Sequence, residues 1–235
     1  MYTAYLFDID GTLTPSRQCI DPEFKKLMLA FADTHNVYLV TGSDKPKTVE
    51  QIGEDLFNRA RRVYNCAGND VWEKGVNVYT NDWALPADAH EWLAQQLTSS
   101  AYNVRTGLHF EHRPGCVNFS IVGRNANNEQ RADYFAYDEQ SGERIWIADK
   151  FNLTFPGLQA TVGGETGIDI AALGKDKGQI YKDFVDYDDI VFFGDRTAPG
   201  GNDYPLAKIL IELDHGCVFQ VDHWSNTQKI LENIQ

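Results

Sequence analysis

The sequence predicts an α/β fold in which a Rossmann-like core on a parallel sheet is interrupted by an inserted α+β cap. Three observations point there. At both ends of the chain, short apolar runs alternate with helical patterns, the strand–helix–strand order that makes a parallel sheet. The middle instead carries closely spaced strand patterns of a mixed, largely antiparallel kind. The length, 235 residues, is long for one domain and short for two full ones, as an insertion into a single core would give. The core is assigned to residues 1–81 and 174–235, and the cap to residues 82–173.

The first apolar run, residues 3–8, ends abruptly in charge and reads as a buried strand presenting Asp8 at its carboxyl end. Asp21 followed by Pro22 is a helix N-cap with proline at the first helical position, and Phe24, Leu27, Met28 and Phe31 recur at helical spacing. Val37 to Val40 is a second strand, ending at Thr41-Gly42-Ser43. Residues 46–58 read as a helix and Arg62 to Cys66 as a third strand. Val71 to Tyr79 reads as a hairpin turning at Lys74-Gly75. In the cap, residues 86–99 are predicted helical, Val104 to His112 and Val117 to Val122 extended, and Asn127 to Phe151 one long helix. Gln159 to Val162 and Ile168 to Ala171 are further strands. The parallel pattern resumes with a helix starting at Asp176 and a strand, Ile190 to Phe193, that ends at Gly194-Asp195. A helix over Tyr204 to Leu213, a strand over Gly216 to Val221 and a helix over residues 225–234 complete the chain.

The net charge of −13 argues against nucleic acid and anionic membranes as partners. No stretch approaches the roughly 20 apolar residues of a membrane span. The first residues run directly into a strand, so no signal peptide is expected. Cys19, Cys66, Cys116 and Cys217 show no CxxC spacing and read as reduced thiols of a cytoplasmic protein. An anionic substrate would need a local arginine cluster on so acidic a chain.

The strongest chemical signal is Asp8-Ile9-Asp10-Gly11-Thr12-Leu13-Thr14 directly after a buried strand. Two carboxylates one residue apart repel unless a cation lies beside them, and Mg²⁺ prefers such oxygen ligands. A solvated turn is the plainer alternative. A second strand ends in Gly194-Asp195, and its glycine-rich loop brings Asp203 eight residues later. Lys177 falls in a first helical turn, where the helix dipole disfavours a cation unless an anion is near. Thr41-Gly42-Ser43 offers hydroxyl and amide donors suited to a phosphate.

These pieces occur in the order, and on the strand ends, of the haloacid dehalogenase superfamily. Longer strings narrow the resemblance. LFDIDGTLTPSRQCID, RPGCVNFSIVGR with Glu129-Gln130-Arg131 shortly after, and FFGDRTAPGGND resemble eukaryotic-type phosphomannomutases over nearly the full chain. The resemblance implies that Asp8 is the nucleophile that forms an aspartyl-phosphate and Asp10 the general acid/base, whose carbonyl also binds Mg²⁺. It implies that Asp195 completes the metal site with Asp203 supporting the loop, and that Thr41 or Ser43 with Lys177 holds the transferring phosphoryl oxygens. Arg17, Arg113, Arg124 and Arg131 match arginines that such enzymes use around substrate phosphates, and guanidinium groups suit phosphate by bidentate bonding. Arg61, Arg62, Arg105 and Arg144 match nothing and read as surface. Asp169 matches the acid of a Ser-x-Asp pair near the sugar hydroxyls, but Gly167 stands where the family has serine. Thr166 is expected to point to the other strand face. Cys66-Ala67-Gly68 replaces the family's Glu-Asn-Gly. The implied activity is phosphotransfer on a small phosphorylated sugar, mannose 6-phosphate to mannose 1-phosphate, with Mg²⁺, a hexose bisphosphate activator and a homodimer through the cap. A sugar-phosphate phosphatase on the same scaffold is the alternative. A non-catalytic sensor would need neither Asp8 nor Lys177.

Overall fold

The structure is a computed structural model and describes residues 2–234. The chain divides into two compact units. One comprises the residues up to Asn81 together with those from Lys175 onward, and the other is Asp82–Gly174.

In the first unit, the described strands are β1 (Thr3–Phe7), β2 (Asn36–Val40), β3 (Arg62–Asn65), β4 (Asp70–Glu73), β5 (Val76–Thr80), β10 (Asp189–Gly194) and β11 (Cys217–Gln220). They form one sheet in the order β11-β10-β1-β2-β3-β4-β5. The pairings from β11 to β3 are parallel, while β3-β4-β5 are antiparallel. This is the expected α/β core. Its central strands β1, β2, β3 and β10 are largely apolar and buried, as strands covered on both faces are, whereas β5 at the edge is exposed throughout. Phe7, Phe193 and Phe219 stack across β1, β10 and β11, with centroids 4.8 and 4.9 Å apart. Such pairs add about 0.5–1.5 kcal/mol each beyond buried area, and they fix the two strand ends that carry Asp8 and Asp195.

Helix α1 (Pro22–Thr34) starts as its sequence dictates, with the Asp21 carboxylate accepting from the N–H groups of Glu23 and Phe24. Helix α2 (Lys45–Arg59) is capped by Asp44 but breaks at Gly53, whose φ is 81°. The break lets the Gln51 carbonyl accept from Ile20 N–H at 2.8 Å, which ties the loop after β1 to α2. The element begun by Asp176 is a 3₁₀ helix, Lys177–Asp183, rather than the α-helical start the sequence suggested. Helices α6 (Tyr204–Glu212) and α7 (Trp224–Leu231) follow, the second stopping short of residue 234. Asn69, fully buried, clasps both points where the chain leaves and re-enters this unit. Its Oδ1 accepts from Asn81 Nδ2 at 2.9 Å, and its Nδ2 donates to the Lys175 carbonyl at 3.2 Å.

The second unit is an antiparallel sheet, β6-β7-β9-β8 in order, of β6 (Phe110–Arg113), β7 (Cys116–Phe119), β8 (Leu158–Gly163) and β9 (Gly167–Ala172). Helices α3 (Ala87–Ser99), α4 (Asn128–Ser141) and α5 (Glu143–Thr154) accompany it. Phe119, Tyr134, Phe151, Ile168 and Ile170 fill its core. Three expectations need correction here. The predicted long helix is two, because Gly142 takes the left-handed conformation (φ 66°) and ends α4. The predicted strand from Val104 is regular only from Phe110, because Gly107 and Leu108 both have positive φ. Across that irregularity the pairing survives as isolated bonds, Thr106 N–H to the Val122 carbonyl and Arg124 N–H to the Leu108 carbonyl. Arg144 is not a surface residue. It is buried against Asp138 (2.7 Å) and donates to the Gly164 carbonyl, so it braces the β8–β9 turn.

Candidate active site

The β1–β10 ladder continues into the first motif, since Asp8 N–H donates to the Phe193 carbonyl at 2.9 Å. This sets the Asp8 carboxylate at the carboxyl end of the central strands, and it is buried. Lys177 Nζ reaches Asp8 Oδ1 at 2.5 Å and Asp203 Oδ1 at 2.6 Å. The lysine is 1% exposed, so its misplacement in a first helical turn is explained by these two carboxylates. Burial works against its charge, but Asp203 and Asp8 outweigh that and hold the ammonium firmly protonated.

Asp8, Asp195 and Asp203 each offer a carboxylate oxygen within 4.8 Å of the others. Two glycines make the approach possible. A Cβ on Gly11 would lie 2.5 Å from Asp195 Oδ2, and one on Gly194 would lie 2.7 Å from Asp203 Oδ2. Asp203 also accepts from Arg196 N–H at 3.0 Å, which folds the glycine-rich loop back on the site. Burial pushes the Asp8 carboxyl well above its ordinary range; Lys177 opposes this, while Asp203 and Asp195 add to it. Burial, then Asp203, raises Asp195 to about 6. Three clustered carboxylates against one buried lysine leave the site with an excess of negative charge. An oxygen-only donor set of this charge fits Mg²⁺ and does not suit a soft ion.

Asp10 is turned away from that cluster. Its carboxylate accepts from Arg17 N–H (2.6 Å), Gln51 Nε2 (2.9 Å) and Ser43 Oγ (3.5 Å). Of the four aspartates expected around the metal, the side chains of Asp8, Asp195 and Asp203 come together, and that of Asp10 does not join them. Thr41 Oγ1 accepts from Ser43 N–H at 3.0 Å. The Thr41 and Ser43 carbonyls are bonded by the N–H groups of Ala67 and Cys66, two successive non-glycine residues with positive φ. The Arg17 side chain is exposed, although its backbone N–H is spent on Asp10.

In the second unit, Glu111 Oε2 accepts from Arg113 Nη2 (2.6 Å) and is ion-paired with Arg124 Nε (2.8 Å), so one carboxylate gathers two of the expected phosphate ligands. Burial works against the Arg113 charge, but Glu111 and Asp169 outweigh it. Arg131, on α4, pairs with Glu165 Oε2 at 3.3 Å. Asp169 Oδ1 accepts from Asn118 Nδ2 at 2.6 Å. Thr166 is buried, with no hydrogen-bond partner for its hydroxyl among the described residues. Sequence reasoning missed Gln51, Glu111 and Asn118. Only Glu111 carried a legible signal, lying two residues before Arg113 and therefore on the same face of the strand.

Comparison with known proteins places the chain in a family. The family model for eukaryotic phosphomannomutase matches residues 24–235. A probable phosphomannomutase of Caenorhabditis elegans is 31% identical over 246 aligned positions, covering 99% of this chain and 95% of that protein. The phosphomannomutase of Saccharomyces cerevisiae is 31% identical over 87% of this chain and 84% of its own. Among solved structures, a haloacid dehalogenase-like hydrolase from Bacteroides thetaiotaomicron superposes with a TM-score of 0.66 over the full length of both chains at 12% identity, a likeness of fold. The chain belongs to the eukaryotic phosphomannomutase family.

Proposed function

We propose that this chain is a Mg²⁺-dependent phosphotransferase that moves a phosphoryl group on a hexose phosphate through an aspartyl-phosphate on Asp8, converting mannose 6-phosphate to mannose 1-phosphate. The carrying observation is the buried Asp8 carboxylate, held by Lys177 on one oxygen and flanked by Asp195 and Asp203. Phosphoryl transfer asks mainly for positioning and charge neutralisation. Lys177 supplies a fixed cation, Asp203 keeps that cation in place, and Mg²⁺, when bound by Asp8, Asp195, Asp203 and the Asp10 carbonyl, would neutralise the phosphoryl oxygens. The Asp8 carboxylate attacks phosphorus, and the phosphorus–sugar oxygen bond breaks as the aspartyl-phosphate forms. Asp10 in its acid form gives its proton to the departing sugar oxygen. In the return half, a sugar hydroxyl loses its proton to Asp10, attacks the phosphoryl group and releases Asp8. Thr41 or Ser43 would donate to the transferring phosphoryl oxygens.

A bisphosphorylated intermediate needs a second phosphate-holding set. In the second unit Arg113 and Arg124, preordered by Glu111, and Arg131 are the candidates, and Asp169 is assigned to the sugar hydroxyls; in the first unit Arg17 is assigned to substrate phosphate on the family resemblance. A hexose bisphosphate serves as activator by loading Asp8. The family also suggests a homodimer through the second unit, and the four cysteines, none in a disulfide, fit a cytoplasmic protein. One observation favours a sugar-phosphate phosphatase instead: Arg113, Arg124 and Arg131 are each already paired with a carboxylate. The separating experiment is ³¹P NMR of mannose and glucose 1-phosphates, with and without a hexose bisphosphate. A mutase yields the 6-phosphates; inorganic phosphate as the sole product selects the phosphatase. Chelation should stop turnover and Mg²⁺ restore it, and full activity in excess chelator would refute the metal's role.

A further inference from the structure

Asp169, assigned above to the sugar, is held by a residue that no motif singles out. Asn118 stands directly opposite it in the β7–β9 register, and Asn118 Nδ2 donates to Asp169 Oδ1 at 2.6 Å. Asn118 is 4% exposed, and its Oδ1 is buried without a partner among the described residues. The pair occupies room made by two glycines that face each other at the end of the β8–β9 ladder, Gly163 and Gly167. A Cβ on Gly167 would lie 2.5 Å from Asn118 Nδ2 and 2.9 Å from its Oδ1, and a Cβ on Gly163 would lie 2.4 Å from Asp169 Oδ2. The serine expected at position 167 is therefore not merely missing: its space holds the Asn118 amide. Thr166, buried with an unpartnered hydroxyl, does not substitute for it.

We propose that Asn118, seated in the space left by the absent side chain at Gly167, is the positioning residue of Asp169 and thereby sets how tightly this chain grips the sugar. A carboxylate free to turn would present no fixed direction to a ligand. The bond from Asn118 fixes Oδ1, and so leaves Oδ2 over Gly163 with a defined direction. A hydrogen bond to an ionised acceptor is among the stronger neutral-donor contacts, so its loss should register in binding.

The inference rests on the reading of the second unit as substrate-binding. Its test is steady-state kinetics of the full chain on a hexose phosphate, with thermal melts of each variant. Asn118→Ala should raise KM about tenfold or more, with kcat within about twofold, the split expected when binding rather than chemistry is lost. Gly167→Ala, which keeps Asn118 but fills its seat, should raise KM similarly. The double variant should be no worse than Asn118→Ala alone, because both act through one contact. A KM unchanged within twofold in both single variants overturns the proposal. So do additive effects in the double variant, or a fall in kcat equal to the rise in KM. If the wild-type chain turns over small aryl phosphates but no hexose phosphate, the functional reading falls, and this inference with it. If the wild type works on hexose phosphates and only the variants fail to respond, the inference alone is wrong.

Discussion

Replacing Asp8, the proposed nucleophile, should make the metal-free protein more stable while abolishing turnover. At an effective dielectric of about 20, unit charges 4.8 Å apart repel by ~3.5 kcal/mol. Asp195 and Asp203 together therefore cost an ionised Asp8 roughly 7 kcal/mol on the same scale. Lys177, 2.5 Å away, returns a similar amount, about 6.6 kcal/mol. The Coulomb terms nearly cancel, and the desolvation of a buried carboxylate, several kcal/mol, is left over. That balance matches the raised Asp8 pKa. Asparagine keeps the shape and an oxygen for Lys177 but carries no charge. Without metal, Asp8→Asn should gain about 2–3 kcal/mol, a rise in Tm of roughly 5–10 °C for a chain of this size. Differential scanning fluorimetry at pH 8 in chelator measures it. Saturating Mg²⁺ should then stabilise the wild type more than the variant, because binding to the folded state adds stability in proportion to affinity. A variant melting at or below the wild type in chelator, or an equal Mg²⁺ effect on both, refutes the charge accounting.

Asp195 gives a pH signature. Its pKa is about 6 in the fold and near 3.9 when unfolded, so the native state binds the proton more tightly. Stability without metal must therefore fall as pH rises from about 4 to 6, and Asp195→Asn should flatten that fall in urea titrations. Arg124→Ala and Arg131→Ala each remove a charge-assisted contact worth roughly 1.5–3 kcal/mol. If a mutase meets that contact in every half-reaction, turnover of hexose phosphates should fall at least tenfold further than turnover of a small aryl phosphate; equal losses on both would favour the phosphatase. Ala67, with a φ of 57°, sits where L-residues are strained by about 1–2 kcal/mol. Ala67→Gly should raise stability by about 0.5–1 kcal/mol after the entropy cost of glycine, and a loss in thermal melts would show that the turn is not strained.

The sheet was legible because parallel strands are buried on both faces and so end sharply where the chemistry begins, as at Phe7-Asp8 and Phe193-Gly194-Asp195. The anion predicted near Lys177 was also readable, from the helix dipole alone, but its identity was not. Asp8 and Asp203 lie 169 and 26 residues away in sequence, and only the sheet order brings them together. The second unit was harder because its irregularities are single residues. Gly142 splits a helix that its flanking periodicity continues, and the split brings Asp138 onto Arg144, six positions on, at a spacing no continuous helix would pair. Gly107 and Leu108 interrupt a strand whose composition is extended throughout. Asn118 was illegible for a different reason. Its partner lies 51 residues away, and the empty space at Gly167 is informative only beside the side chain that fills it.

The two units handle charge in opposite ways, and this bears on specificity. In the first unit, three aspartates face one buried lysine, which leaves a surplus of negative charge. In the second, Arg113, Arg124 and Arg131 are matched by Glu111, Glu165 and Asp169. A phosphate arriving there must compete with carboxylates already in place. The competitors differ in strength. The Glu165 side chain is 61% exposed, and an exposed pair contributes no more than about 1 kcal/mol, so it yields readily. Glu111 is half as exposed and holds two arginines through one oxygen, which makes it a fixed part of the receptor. On this view Arg131 is the arginine most open to a new anion, while Arg113 and Arg124 form a preset fork.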